Sequence, residues 1–176
     1  VNTCHPLPTD VSNYLETWMK DRPDLDYPIE FGEEVVSEEE LRKKQKRQKP
    51  LDISEETCVA MVPTSYISGL NNEIISNFIG SLGYKSAVLS NYIYYYPKAC
   101  MGWHTNYMNP GKRLYIIKNY SSDSYFVYEK DGKVIKDIEP SGYCYREFEL
   151  GDEDSLFWHA VYGGQKGRYS VGFKVY

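Results

Sequence analysis

The apolar and polar positions of the 176-residue chain change their period once, near residue 86. Before that point the spacing is helical. Tyr14, Leu15, Trp18 and Met19 recur on one helical face behind Asp10, a residue type that caps helices, and the run should stop before Arg22-Pro23. Residues 24–36 are acidic, aperiodic and punctuated by Pro and Gly, which predicts an extended arm or loop. Ser37-Glu38-Glu39-Glu40 is a capping-box pattern, and Arg42, Lys43, Lys44, Lys46 and Arg47 follow where a helix dipole favours cations; Pro50 ends this helix. Residues 58–63 predict a buried strand. Ser68 then caps a helix whose Leu70, Ile74, Ile75, Phe78, Ile79 and Leu82 cover one face as far as Gly83.

From residue 86 onward the pattern is that of strands. Residues 87–96, 113–119, 125–129, 133–138, 143–150, 155–161 and 168–176 form strand-forming runs, with turn signals such as Asn109-Pro110-Gly111, Lys130-Asp131-Gly132 and Gly163-Gly164 between them. The expected fold is mainly β with flanking helices: a double-stranded β-helix, or jelly-roll, barrel behind an N-terminal helical layer. No repeat or linker divides the chain. It reads as one domain, with helices and arm over 1–85 and the barrel over 86–176.

Composition narrows the chemistry. A net charge of -5 and a pI near 5.3 disfavour a broad phosphate-binding surface, so nucleic acid would need a local basic patch. Residues 42–49 are the one candidate, weighed against a solvated surface helix or a lid. Cys4, Cys58, Cys100 and Cys144 are widely spaced, with no Cys-x-x-Cys pair, and read as reduced thiols of an intracellular, cytoplasmic protein. No apolar run of membrane-spanning length or signal-peptide pattern stands in the sequence, which predicts a soluble chain. There is no Gly-x-Ser-x-Gly elbow and no phosphate-binding Gly-rich loop.

Two of the three histidines fall in one ordered constellation: His104-Thr105-Asn106, then His159, then Arg168-Tyr169-Ser170. Residues two apart on a strand share a face, so His104 and Asn106 are expected to project together, with His159 entering from the opposite side. Two imidazoles and one oxygen donor on one face of an ion suit non-heme iron. Arg168 and Ser170 share a face by the same rule, and a guanidinium plus a hydroxyl receives the far carboxylate of a diacid. Nine residues separate His159 from Arg168, and a hairpin at Gly163-Gly164 is expected to lay the two strands side by side. Trp103 and Trp158 are expected to fill core on the face away from the histidines. Tyr92, Tyr94, Tyr96, Tyr143 and Tyr145 read either as a substrate groove or as plain strand alternation.

On these residues, positions 92–176 resemble the iron(II)- and 2-oxoglutarate-dependent oxygenases, which share the order His-x-Asp/Glu, distal His, then Arg-x-Ser or a related basic motif. The stretch Tyr95-Tyr96-Pro97-Lys98-Ala99-Cys100-Met101 is similar to the Tyr-x-Pro-Gly-Ala of AlkB-type members, with Lys98 for the glycine; Arg-x-Ser is the prolyl-hydroxylase-like form, and Lys174 stands where an AlkB-type second arginine is expected. The resemblance implies Fe(II) held by His104, Asn106 and His159, 2-oxoglutarate held by Arg168, Ser170 and Tyr95 or Tyr94, and hydroxylation of a peptide, an amino acid or a nucleobase. Asn106 departs from the family's carboxylate. It serves as a weaker ligand, or yields its place to water or an anion, or marks a catalytically silent binding module that keeps the pocket.

Overall fold

Two antiparallel sheets face each other in the computed structural model, which describes residues 3–19, 29–61 and 72–176, without the side chains of Trp18 and Met61. In chain order the elements are β1 (His5–Pro6), α1 (Thr9–Met19), a 3-10 turn (Glu33–Val36), α2 (Glu38–Gln45), β2 (Val59–Met61), α3 (Glu73–Ser81) and eight further strands. These are β3 (Ala87–Tyr95), β4 (Cys100–His104), β5 (Gly111–Asn119), β6 (Tyr125–Lys130), β7 (Lys133–Ile138), β8 (Gly142–Leu150), β9 (His159–Tyr162) and β10 (Arg168–Val175). The larger sheet has the order β1-β8-β5-β10-β3-β2 and the smaller β4-β9-β6-β7. Both edge strands of the larger sheet come from the first 85 residues, so β structure extends beyond 86–176.

Period-two alternation decides which side chains meet between the sheets. On β5, Arg113, Tyr115 and Ile117 face the space between them, while Leu114 and Ile116 are buried on the outer face. That outer face is covered by helices. Val11, Leu15 and Met19 of α1 are at most 2% exposed, at the four-residue spacing of one helical stripe, and pack in one core with Ile75, Phe78 and Ile79 of α3. Each such side chain contributes about 1.5–3 kcal/mol of burial. A second core lies behind the smaller sheet, where Trp103 and Trp158 pack with Val35, Val36 and Leu41 and the Trp103 indole donates to Ser37 O at 2.8 Å.

Several expectations need correction. Cys4 and Cys144 are not free thiols but a disulfide, brought together because β1 pairs with β8 in the register His5–Tyr145; Cys58 and Cys100 are free and buried. With that pair oxidised, the thiol argument for a reducing compartment falls away. Among the described residues no helix is long and apolar enough to cross a membrane. The strand expected over 155–161 begins only at His159, because Asp152 accepts from the Ser155 hydroxyl and the Asp154 amide and winds the preceding residues into a turn. Residues 100–104 form a strand of their own. Within the expected arm, residues 33–36 form the 3-10 turn instead, since Val35 and Val36 have a core to enter. Asp10 lies inside the first turn of α1. Asn72 caps α3 by accepting from the Ile74 amide at 2.8 Å. The expected stop at Arg22-Pro23, residues 24–28 of the arm, Val62-Pro63, the Ser68 cap and Leu70 lie outside the described residues.

The Gly163-Gly164 turn does not make a hairpin. β9 pairs with β4 and β6, whereas β10 pairs with β3 and β5 in the other sheet. The connection crosses between sheets over the β3–β4 turn, with Gly163 donating to Ala99 O and Lys98 to Gly164 O, each at 2.8 Å. A Cβ on Gly163 would stand 2.8 Å from Tyr95 Cβ, so only glycine lets the crossing run this close.

The disulfide closes a loop with a sequence separation of 140, so its loss should release much denatured-state entropy. Cys4→Ser is expected to lower the unfolding free energy by about 2–5 kcal/mol. Chemical denaturation with and without reductant checks this: equal wild-type midpoints would show that the bridge carries no stability.

Candidate functional site

Between the sheets lies a cavity of about 430 Å³. His104, Asn106, His159, Arg168, Ser170 and Tyr95 all line it; Tyr94 does not. Tyr94 points to the other face of β3, where its ring packs 4.9 Å from that of Tyr169, because neighbouring strand residues alternate. The other tyrosines weighed as groove residues, Tyr92, Tyr96, Tyr143 and Tyr145, are likewise absent from the lining. Tyr115 takes that place with Tyr95.

His104 and His159 are Cα partners across β4 and β9, with ring centroids 4.2 Å apart. Each Nδ1 sits against a backbone carbonyl: His104 against Gly102 O at 2.8 Å, His159 against Phe157 O at 2.9 Å. A carbonyl only accepts, so each Nδ1 carries the proton and each Nε2 keeps its lone pair, the form that binds a metal. Burial lowers the proton affinity of both rings, and for His159 the neighbouring His104 and then Arg113 lower it further. Phe126, Phe148 and Phe157 pack within 6 Å of the His159 ring and keep water from it.

Asn106 reaches the site by a route the period-two rule does not describe. β4 ends at His104, and Asn106 has φ +52°, a left-handed conformation that Asn tolerates better than most residues. Its amide donates to Asp52 O at 2.8 Å while Thr105 N donates to Leu51 O at 2.9 Å, tying this turn to residues 51–52. The Asn106 side chain lines the same cavity as the His104 ring. Among the described residues, no three His, Cys, Asp or Glu side chains gather as a metal cage. An ion here would rest on two imidazoles and a neutral amide oxygen.

At the other end of the cavity Arg168, only 2% exposed, donates from Nη2 to Glu139 Oε1 at 3.2 Å and stacks 5.0 Å over the Tyr95 ring. Its Nε and Nη1 are buried without a hydrogen-bond partner among the described residues. Glu139 is fully buried and shares Oε1 with Arg146 at 3.3 Å, and Arg146 also pairs with Asp137 at 2.5 Å. Burial raises the Tyr95 hydroxyl well above its ordinary value, partly offset by Arg168, so it stays protonated as a donor.

Glu139, Arg146 and Arg113 were not singled out from the sequence. A signal was there: Arg146 heads an inward row with Phe148 and Leu150, and Arg113 heads another with Tyr115 and Ile117, so a cation interrupts an apolar alternation. The basic segment, by contrast, is answered within the chain. Lys44 is buried on Glu56 at 2.7 Å, Arg47 pairs with Glu55, Lys43 with Glu39 and Glu40, and Arg42 with Glu38. Those pairs match four of the segment's six cations with acids of the chain itself.

No protein-family model and no curated protein matches the chain. Solved structures that align with the chain include a Pseudomonas putida prolyl-4-hydroxylase, 14% identical over 98% of this chain and 90% of that one, TM-score 0.46. A 2OG-Fe(II) oxygenase family oxidoreductase from Burkholderia pseudomallei is 10% identical over 79% of each chain, TM-score 0.46. A Trichoplax adhaerens prolyl hydroxylase, solved with a hypoxia inducible factor oxygen degradation domain peptide fragment, is 15% identical over 95% and 89%, TM-score 0.40. Likeness of this degree carries no argument, and the reading of the site rests on the chain's own residues.

The neutral histidines make stability depend on pH. In the unfolded chain both rings take up protons near pH 6.5, whereas the folded protein resists this, so the unfolded state binds more protons below that pH. Metal-free protein is therefore expected to hold its full stability above about pH 7 and to lose it as pH falls below about 6.5. Denaturant midpoints at pH 7.5 and 5.5 measure the loss. It should shrink in His159→Phe, and an undiminished loss there would place the effect elsewhere.

Proposed function

We propose that the cavity is the active site of an iron(II)- and 2-oxoglutarate-dependent oxygenase, a hydroxylase of a peptide, amino-acid or other small substrate. The observation that carries this reading is a buried guanidinium with two nitrogens lacking partners, in the same cavity as two neutral imidazoles with free Nε2 lone pairs. Buried N–H donors without acceptors, on a guanidinium whose charge Glu139 already balances, call for a further oxygen acceptor such as a carboxylate. The donor set fits a divalent ion, with His104 and His159 as nitrogen ligands and Asn106 as a weaker oxygen ligand. Bound iron and 2-oxoglutarate would supply the oxidation itself, oxygen splitting the diacid into succinate and carbon dioxide while a substrate C–H bond is hydroxylated.

The chain's residues bind, orient and exclude water. Arg168 has Nε and Nη1 to spare, on opposite sides of the guanidinium, and one of them donates to the far carboxylate of the diacid while Glu139 holds Nη2 and fixes the group's orientation. Ser170, two residues on along β10, adds a hydroxyl, and Tyr95 adds a ring face under the guanidinium. The carbonyls of Gly102 and Phe157 lock the two imidazoles in the ligating tautomer, and the phenylalanines around His159 keep the centre dry. One observation favours a second reading, a binding module that keeps the diacid pocket without chemistry: the neutral Asn106 leaves the centre without the carboxylate that tightens such sites.

Anaerobic titration with Fe(II), followed by 2-oxoglutarate, tests both. Wild type is expected to bind both; His104→Ala and His159→Ala should lose the metal. Arg168→Ala should keep the metal and bind 2-oxoglutarate about a hundredfold more weakly. Absence of metal binding by wild type sinks the oxygenase reading. Metal and diacid binding without succinate formation from any candidate substrate selects the silent module.

A further inference from the structure

We propose that the substrate of this site carries a carboxylate, and that Arg113 together with Lys174 receives it at the outer end of the cavity. The inference rests on the oxygenase reading for the chemistry performed, but the anion receptor is argued from its own geometry.

Arg113 is 3% exposed and lines the cavity, yet its hydrogen bonds go only to neutral carbonyls: Nη1 to Gly111 O and Lys112 O, Nη2 to Asn109 O. Among the described residues no carboxylate pairs with it. This is unlike Arg146 and Arg168, whose charges are matched by Asp137 and Glu139. Burial lowers its proton affinity, and only the tyrosines Tyr115 and Tyr176 act against that. Directly across the sheet stands a second cation, since Lys174 is the Cα partner of Arg113 on β10. Like charges placed opposite one another destabilise a strand pair. Here Asn109 gathers both, its backbone oxygen accepting from Arg113 and its side-chain oxygen from Lys174 Nζ at 2.9 Å. Two cations drawn to one exposed residue at a cavity rim, with no acid between them among the described residues, are arranged for an incoming anion.

That anion is not the diacid of Arg168. Arg168 pairs with Asn119 and Lys174 with Arg113, six residues along both strands, so the backbone positions of the two receptors lie roughly 20 Å apart along the sheet. A five-carbon diacid spans no more than about 7 Å. The level of Arg113 is instead that of the histidines. Its Cα partner on β8 is Phe148, whose ring lies 5.8 Å from His159. Ile53, 71% exposed, and the exposed Asn109 mark this as the end open to solvent, while Arg168 and Glu139 close the other. A substrate entering there meets Arg113 as it reaches the imidazoles, and the fixed guanidinium selects which carbon is presented. A single pair of cations on a chain of net charge -5 matches one carboxylate better than a polyphosphate backbone.

The test uses isothermal titration of wild type, Arg113→Gln, Arg113→Lys and Lys174→Gln in the presence of Mn(II) and 2-oxoglutarate. The probes are matched pairs: glutamate against glutamine, and short peptides carrying Glu, Asp or a free C-terminus against their Gln, Asn or amidated counterparts. Wild type is expected to prefer the acid of at least one pair by about tenfold or more. The pair that shows it separates a free amino acid from a peptide side chain or terminus. Arg113→Gln should abolish the preference, Lys174→Gln reduce it and Arg113→Lys retain it. Equal binding of acid and amide by wild type overturns the proposal. So does a preference that survives in Arg113→Gln, a loss of 2-oxoglutarate affinity there as large as in Arg168→Ala, or stronger binding of a single-stranded oligonucleotide than of any acid. Should Arg113→Gln fail to fold, the fall in Lys174→Gln and the survival in Arg113→Lys carry the test. An acid preference without metal binding by wild type would remove the oxygenase reading and leave the receptor standing.

Discussion

A carboxylate with no access to water, Glu139, is the constraint that the rest of the cavity depends on. A lone buried carboxylate would take up a proton or cost several kcal/mol of desolvation. Glu139 instead shares Oε1 between Arg146 and Arg168, with Ser124 Oγ 3.2 Å from Oε2, and Asp137 answers the remaining charge on Arg146. Two cations and two anions thus form a neutral cluster among aromatic rings, Arg146 over Phe126 and Arg168 over Tyr95. Breaking such a cluster on one side typically costs 3–5 kcal/mol, which ties the inner end of the cavity to the folding of β7, β8 and β10. The cluster also leaves two nitrogens of Arg168 without hydrogen-bond partners among the described residues.

Charge is therefore distributed along the cavity by position. The inner end is neutral overall, the two imidazoles are uncharged because burial holds them so, and Arg113, level with them on the side toward solvent, has no matching acid among the described residues. Asn106 adds no charge at the histidines. An ion bound there would meet a ligand set one negative charge poorer than two imidazoles with a carboxylate, so its affinity would lean on the fixed geometry of the two rings and on dehydration by the surrounding phenylalanines. Geometry of that kind needs a stiff frame. The backbone carbonyls at both Nδ1 atoms, the second core around Trp103 and Trp158, and the disulfide from β1 to β8 provide it on three sides.

The crossing at Gly163-Gly164 places the two halves of the constellation in register. Because β9 and β10 belong to different sheets, His159 and Arg168 face each other's space from opposite walls although nine residues separate them. A hairpin would have put both on one wall and left no enclosed volume between them. The missing side chain at Gly163 and the positive φ at Gly164 are what the backbone needs to make that passage beside Tyr95.

How much of this was legible in the sequence follows from the range of the interactions involved. Local patterns read well: the stripe of α1, the capping box of α2, the apolar face of α3 and the alternation of the long strands depend on residues a few positions apart, and so does the shared face of Arg168 and Ser170. The order of His104, His159 and Arg168 also singled out residues that come to line one cavity. What the sequence could not carry was pairing between distant segments. That Cys4 meets Cys144, that Asn106 arrives through a left-handed turn held by residues 51–52, that Tyr95 and not Tyr94 faces inward, and that Glu139 joins Arg146 to Arg168 are all decided by which strands lie beside which. Periodicity determines the face a side chain takes; only the tertiary structure decides what stands opposite, because a buried charge is tolerable solely where a partner from elsewhere in the chain meets it.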